Sequence, residues 1–181
     1  LSAEKIRDFA TKSVEELLAK GCKMIVVACN TATAAAIDHL RATFPEVPFV
    51  GLEPAVKPAC LSTRTGKVGV LATARSLEGD HFKRTAAKYA DRAEIFASVG
   101  EGFVEIVERS AEQEPSTREV VSRAVEPLLE KGIDKLVLGC THYPFLRGVI
   151  DKVIGDRAVR VIDSGEAVEK RVESLLDEYD L

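Results

Sequence analysis

Cys29 and Cys140 are the residues of this sequence best placed to do chemistry. Glu15, Leu17, Leu18, Lys20, Gly21 and Cys29 recur as Glu126, Leu128, Leu129, Lys131, Gly132 and Cys140, all at one offset of 111 positions. Between them, Ile25-Val26-Val27 superimposes on Leu136-Val137-Leu138 without a gap. Each copy therefore reads as helix, glycine, buried strand, cysteine and helix start. In parallel α/β sheets, ligands bind outside the carboxyl ends of the strands, where both thiols fall. Unpaired N–H groups and the positive end of a helix dipole lower a thiol's pKa from its usual ~8.5. Such a thiol is a base near neutral pH, and its thiolate a nucleophile. Two of them on matched, facing units suit the inversion of a stereocentre without a cofactor. One group removes a proton from one face, a like group returns a proton to the other, and the roles swap in the reverse reaction.

The flanking residues fit that chemistry. Asn30-Thr31 and Thr141-His142 set polar side chains and backbone N–H groups beside the two thiols, suited to holding an amino acid's carboxylate and ammonium with its Cα between the bases. His142 can also relay a proton or hold Cys140 as a thiolate. Cys22 and Cys60 have no matched partner and read as core packing. His39 and His81 lie in helix patterns with nothing around them to act with. No C-x-x-C or H-x-x-x-H spacing points to a metal, and no G-x-x-x-x-G-K-[ST], G-x-G-x-x-G or G-x-S-x-G motif occurs. Thiol redox chemistry is an alternative use of the pair, but it needs the two sulfurs within bonding distance rather than separated by a substrate.

The elements that must position these residues alternate along the chain. Ile6, Phe9, Ala10, Val14, Leu17 and Leu18 recur at helical spacing after Ser2, and Gly21 ends that helix. Met24 to Ala28 is a continuous apolar run, expected to be a strand buried on both faces. A helix follows from about Thr33 to before Pro45. Val47 to Gly51 is a second strand, and Pro54 opens another helix. Lys67 to Ala72 reads as strand, Ser76 to Tyr89 as helix and Glu94 to Ala97 as a short strand. Val120 to Leu129 marks a helix face and Leu136 to Gly139 a strand. Pro144 opens a helix, Val159 to Ile162 is the last strand, and Ala167 to Leu176 is the last helix. The pattern predicts an α/β chain with parallel sheets.

Composition narrows the class. The 181 residues carry 25 Lys+Arg against 29 Asp+Glu, a formal charge of −4, and are 46% apolar, enough to bury a core. No concentrated basic face is present, which argues against a nucleic-acid partner. The longest charge-free run, Met24 to Ile37, is too short and too polar to span a membrane. No signal peptide opens the sequence, so a cytoplasmic location is expected.

Taken together, Val26-Val27-Ala28-Cys29-Asn30-Thr31-Ala32-Thr33-Ala34 and Gly139-Cys140-Thr141-His142-Tyr143-Pro144 resemble the two signature motifs of the glutamate racemases. The likeness extends to Glu53-Pro54 and to Val161-Ile162-Asp163-Ser164-Gly165-Glu166-Ala167. It implies a cofactor-independent enzyme that interconverts L- and D-glutamate and supplies the D-isomer for bacterial peptidoglycan. It also implies two pseudo-symmetric parallel-sheet α/β domains with the active site between them, and a dimeric assembly. With the repeat, it places residues 1–52 plus 156–181 in a first domain, closed by the last strand and helix, and 53–155 in a second. By the same resemblance Cys29 and Cys140 are the acid/base thiols. Asn30, Thr31, Thr141 and His142 correspond to substrate-binding positions, and His142 also assists the second thiol. Thr73 and Ser76 match a G-T-x-G-T turn whose glycines are replaced here, and Glu108 matches a glutamate of the catalytic site although Glu105 stands where a proline is usual.

The family's opening strand, with F-D-S-G-x-G-G, and the Tyr-Gly after it are not present. The resemblance therefore implies an N-terminally truncated chain cut at Leu1, with reduced activity and part of the first domain's core exposed. Aspartate racemase is the nearest rival, disfavoured by His142 where that group resembles G-C-T-E. A non-catalytic, ligand-binding remnant of the fold is the alternative outside enzymology.

Overall fold

The computed structural model describes residues 2–181, except for the side chains of Asp80 and His81. The readings of Leu1 as a cut edge and of His81 as an ordinary helix histidine lie outside the described residues. The chain divides into two compact units, one formed by the residues up to Glu53 together with Ser164–Leu181, the other by Pro54–Asp163.

Unit 1 begins with helix α1, Ala3–Ala19, started by Ser2, whose Oγ accepts the Lys5 N–H at 3.3 Å. Gly21 follows it with φ +85°, a left-handed conformation that spares a Cβ clash and turns the chain into strand β1, Ile25–Val27. Helix α2, Asn30–Thr43, returns to strand β2, Phe49–Gly51, which pairs in parallel with β1. Val14, Ile25, Ala36, Leu40 and Phe49 make the core of this unit. The unit's last helix, Gly165–Tyr179 (α9 below), packs on β2.

The expectation that β1 is buried on both faces is corrected. Ile25 is buried, but Val26 is 41% exposed. Among the described residues β1 has one strand neighbour, β2, and its Ile25 and Val27 side chains take up the packing against the unit's core. Period-two alternation leaves Val26 on the other face. Phe9 and Leu17 of α1 are exposed as well.

Unit 2 contains helix α3, Val56–Ser62, strand β3, Lys67–Ala72, helices α4, Ala74–Glu78, and α5, Asp80–Lys88, and strand β4, Glu94–Val99. Helices α6, Phe103–Glu108, and α7, Pro115–Glu130, lead to strand β5, Lys135–Leu138. A 3-10 turn, Tyr143–Leu146, runs into α8, Arg147–Ile154, and strand β6, Arg160–Ile162, precedes α9. The sheet is parallel throughout, in the order β4-β3-β5-β6. Leu71, Leu136 and Leu138 pack on one face with Val121, Val125, Phe103 and Ile150, while Val68, Val70 and Val137 pack on the other with Val56, Ala59 and Cys60. The result is a three-layer α/β unit with helices on both faces.

Two boundaries differ from the sequence reading. The last strand and the residues before it, assigned with 156–181 to the first domain, lie in unit 2, because Leu136 and Val137 of β5 pair with Val161 and Ile162. Only the helix after Ser164 returns to unit 1. The helix read from Ser76 to Tyr89 is two helices, divided where Gly79 takes up an extended conformation. No helix among the described residues is long and apolar enough to cross a membrane.

Candidate functional site

In unit 2 the sheet order fixes where a ligand can sit. From β3 the chain moves to one side to form β4, then crosses to the other side to form β5, so the connections diverge between β3 and β5. Diverging connections leave a crevice at the carboxyl ends of those two strands. β3 ends at Ala72 and is followed by Thr73; β5 ends at Leu138 and is followed by Gly139 and Cys140. The amide of Gly139 donates to the Leu71 carbonyl at 2.8 Å, and a Cβ on Gly139 would stand 2.8 Å from that of Ala72. A glycine there lets the two strand ends close together and fixes the height at which Cys140 leaves the sheet.

Cys140 is half-buried and begins a line of polar groups. Its Sγ lies 3.9 Å from His142 Nδ1, and His142 Nε2 lies 2.7 Å from Glu108 Oε1. With the Nε2 proton donated to the carboxylate, Nδ1 presents a lone pair to the thiol; on the imidazolium, Nδ1–H donates to the thiolate. Either state gives the sulfur a proton partner. Glu108 comes from α6, a helix the sequence reading did not anticipate, although it picked out Glu108 itself.

The rest of the cluster is held by Tyr143, fully buried, whose hydroxyl donates to the Gly100 carbonyl at 3.2 Å. Its ring meets Phe103 edge-on at 5.0 Å. Burial, with the nearby Cys140 and Glu105 charges, pushes the phenol well above the ordinary tyrosine range, so it stays a neutral donor. Tyr143 thus ties the Cys140 loop to the segment after β4. The signal for it was present in the sequence only as an aromatic beside a proline.

Thr73 and Ser76 are brought together. Thr73 Oγ1 accepts the Ser76 N–H at 3.3 Å and donates to Ser76 Oγ at 2.9 Å, capping α4 at the end of β3. Thr141 is half-buried in the loop between Cys140 and His142.

In unit 1, Cys29 is an exposed free thiol at the N-cap of α2, with extended backbone (φ −155°, ψ 121°). Asn30 is buried and Thr31 half-buried in the first turn. Thr33, which sequence reading overlooked as a site residue, fixes this corner. Its Oγ1 donates to the Val27 carbonyl at 3.1 Å and accepts the Leu52 N–H at 3.0 Å, tying β1, α2 and the end of β2. The two cysteines are therefore set up differently. Cys29 precedes a 14-residue helix directly. Cys140 does not: the 3-10 turn begins three residues later and α8 only at Arg147, which corrects the expectation of a helix start in both copies. Proline at position 144 and the buried Tyr143 shape that turn instead. Up to the cysteine the repeat is close, with α1 ending at Ala19 and α7 at Glu130, and Gly21 and Gly132 both at positive φ (+85° and +75°).

Among the described residues, no group of three or more His, Cys, Asp or Glu side chains is arranged to hold a metal ion. Cys22 and Cys60 sit in the apolar clusters of units 1 and 2. Burial raises the Cys60 thiol above its ordinary range.

Residues 3–171 match the Asp/Glu/Hydantoin racemase family. The glutamate racemase of Ectopseudomonas mendocina is 46% identical over 180 residues, covering 99% of this chain and 68% of its own. The crystal structure of Escherichia coli glutamate racemase in complex with L-glutamate and the activator UDP-MurNAc-ala superposes with a TM-score of 0.89 at 31% identity, over 98% of this chain and 67% of that one. That of Francisella tularensis glutamate racemase in complex with D-glutamate gives 0.80 at 27% identity, over 99% and 66%. The chain thus spans about two-thirds of the length of these relatives.

Proposed function

The chain belongs to the Asp/Glu/hydantoin racemase family, and from that premise we propose that it inverts glutamate at Cα by two-thiol proton transfer, with Cys29 and Cys140 on opposite faces. The observation that carries this reading is the Cys140–His142–Glu108 line at the carboxyl ends of β3 and β5. A thiol that must give and take a proton needs a neighbour that buffers it, and His142 backed by a carboxylate is such a neighbour. Cys29 has the N-terminus of α2 instead, whose amides and dipole favour the substrate's carboxylate.

In this scheme the thiolate of one cysteine takes the Cα proton while the thiol of the other delivers one to the opposite face. The carbanion is short-lived because the second proton is already in place. Asn30, Thr31, Thr141 and His142 hold the amino acid's carboxylate and ammonium, and Thr73 with Ser76 supplies hydroxyls from the end of β3. The scheme is that of a homodimeric cytoplasmic enzyme that uses no cofactor. The product serves peptidoglycan synthesis.

Circular dichroism of L-glutamate, D-glutamate and L-aspartate incubated with the purified chain tests the reading. Symmetric loss of signal from both glutamate isomers is expected, with aspartate unchanged. Turnover of aspartate alone would reassign the substrate, and no exchange of the Cα proton of any of the three into D₂O would reduce the chain to a non-catalytic relative.

A further inference from the structure

Tyr143 is fully buried, follows His142 directly and moves no proton in the scheme above. Its place in the hydrogen-bond framework is specific. The Gly100 carbonyl that accepts the Tyr143 hydroxyl at 3.2 Å also accepts the Phe103 amide at 3.3 Å, and Phe103 begins α6. The Tyr143 ring meets the Phe103 ring edge-on. The start of α6 and the residue after His142 are therefore held on one carbonyl. The amide of Gly100 in turn donates to the Ala72 carbonyl at 3.1 Å, one residue beyond the Leu71 carbonyl that receives Gly139. The segment 139–143, which carries Cys140, Thr141 and His142, is thus pinned at both ends to the carboxyl end of β3. A Cβ on Gly100 would stand 2.6 Å from the Tyr143 hydroxyl and 2.7 Å from the ring carbon bearing it. Gly100 is not at positive φ, so the close approach of the phenol is what requires glycine there.

Glu108 is the last residue of α6, and its side chain is 66% exposed. Packing does not aim so open a carboxylate; the seat of its helix does. With only six residues, α6 is too short to hold a direction by its own hydrogen bonds. We propose that Tyr143 is a positioning residue: its hydroxyl, through Gly100, sets α6 against the segment 139–143 so that Glu108 meets Nε2 of His142 and Nδ1 is left facing Cys140. A tyrosine suits this task because its ring fills the space beside Phe103 while its hydroxyl reaches the carbonyl. Tyr143 then acts on Cys140 only by way of Glu108 and His142. The kinetic part of this inference rests on the two-thiol reading; the geometric part does not.

Heteronuclear NMR of the imidazole nitrogens tests this without substrate. The chain has three histidines, and His142→Asn assigns the His142 signal. On the neutral ring the Nε2–H tautomer is expected to dominate, and Tyr143→Phe should raise the Nδ1–H share about threefold. Glu108→Ala should raise it as well, and adding Tyr143→Phe to Glu108→Ala should change it no further. Val68→Ala, a core truncation on the opposite face of the sheet, should lower stability at least as much and leave the tautomer alone. Where the chain racemises glutamate, Tyr143→Phe should lower kcat about threefold with KM unchanged. An unchanged tautomer ratio in Tyr143→Phe, or an equal shift with and without Glu108, overturns the proposal. Absence of racemisation with the tautomer shift intact overturns the two-thiol reading alone.

Discussion

His142 stands between Cys140 and Glu108, 3.9 Å from the sulfur through Nδ1 and 2.7 Å from the carboxylate through Nε2. The Glu108 side chain is 66% exposed, so the pair is screened and worth at most about 1 kcal/mol. Glu108→Gln should therefore lower kcat for glutamate about fivefold with KM unchanged. His142→Asn, which removes the proton partner itself, should cost about a hundredfold. Progress curves from each isomer measure both. A change confined to KM would show that Glu108 and His142 bind substrate without handling its proton.

The two thiols are expected to be individually indispensable. Cys29→Ala and Cys140→Ala should each lower racemisation at least about a thousandfold, with Cys→Ser leaving a residue of activity. Deuterium wash-in followed by NMR should show each alanine variant losing exchange of a different isomer. Loss of the same isomer in both variants would contradict a base on each face.

Much of this was legible in the sequence, and for identifiable reasons. The 111-residue repeat spans α1–β1 and α7–β5, where apolar periodicity and a left-handed glycine are local signals. Both cysteines, His142 and Glu108 stand out in the sequence by their motifs. What the sequence could not carry was pairing. Arg160–Ile162 is a strand in either unit, and only its register with Lys135–Val137 assigns it. Val26 is as apolar as its neighbours, so its exposure depends on what packs against its face of the sheet, a tertiary fact. Helix α6 was missed because its six residues are too few to set a period.

Gly139→Ala should move Cys140 rather than merely loosen the core. Its new Cβ would meet the Cβ of Ala72 at 2.8 Å and the Leu71 carbonyl at 3.4 Å, neither able to yield. A loss of about 1–3 kcal/mol in urea unfolding is expected, with a fall in kcat. Gly69→Ala, whose first contact is the terminal Cδ1 of Ile133 at 2.6 Å, is the control and should cost less. Equal costs would show that the end of β5 is free to shift.

Asp134 should make stability acid-sensitive. Burial alone would raise its carboxyl, but the Thr63, Arg64 and Thr65 hydrogen bonds and the Lys135 ammonium outweigh burial and hold it below the usual aspartate range. A carboxyl lowered on folding contributes fully above its unfolded value of about 3.9, and that contribution fades as pH falls through the folded value. Asp134→Ala should cost about 3 kcal/mol at pH 7, and the gap from the parent should narrow in acid. Urea denaturation at neutral and acidic pH measures it; a gap constant with pH would mean that the ionised form contributes nothing.

The two cysteines rest on foundations of unequal stiffness. Cys140 leaves a four-stranded sheet padded on both faces, whereas Cys29 leaves a sheet of two three-residue strands among the described residues, with Val26 open to water. Two-stranded sheets are marginal on their own, and local opening begins where burial is thinnest. Local opening on warming is therefore expected to begin at the corner holding Cys29 rather than at the end of β5.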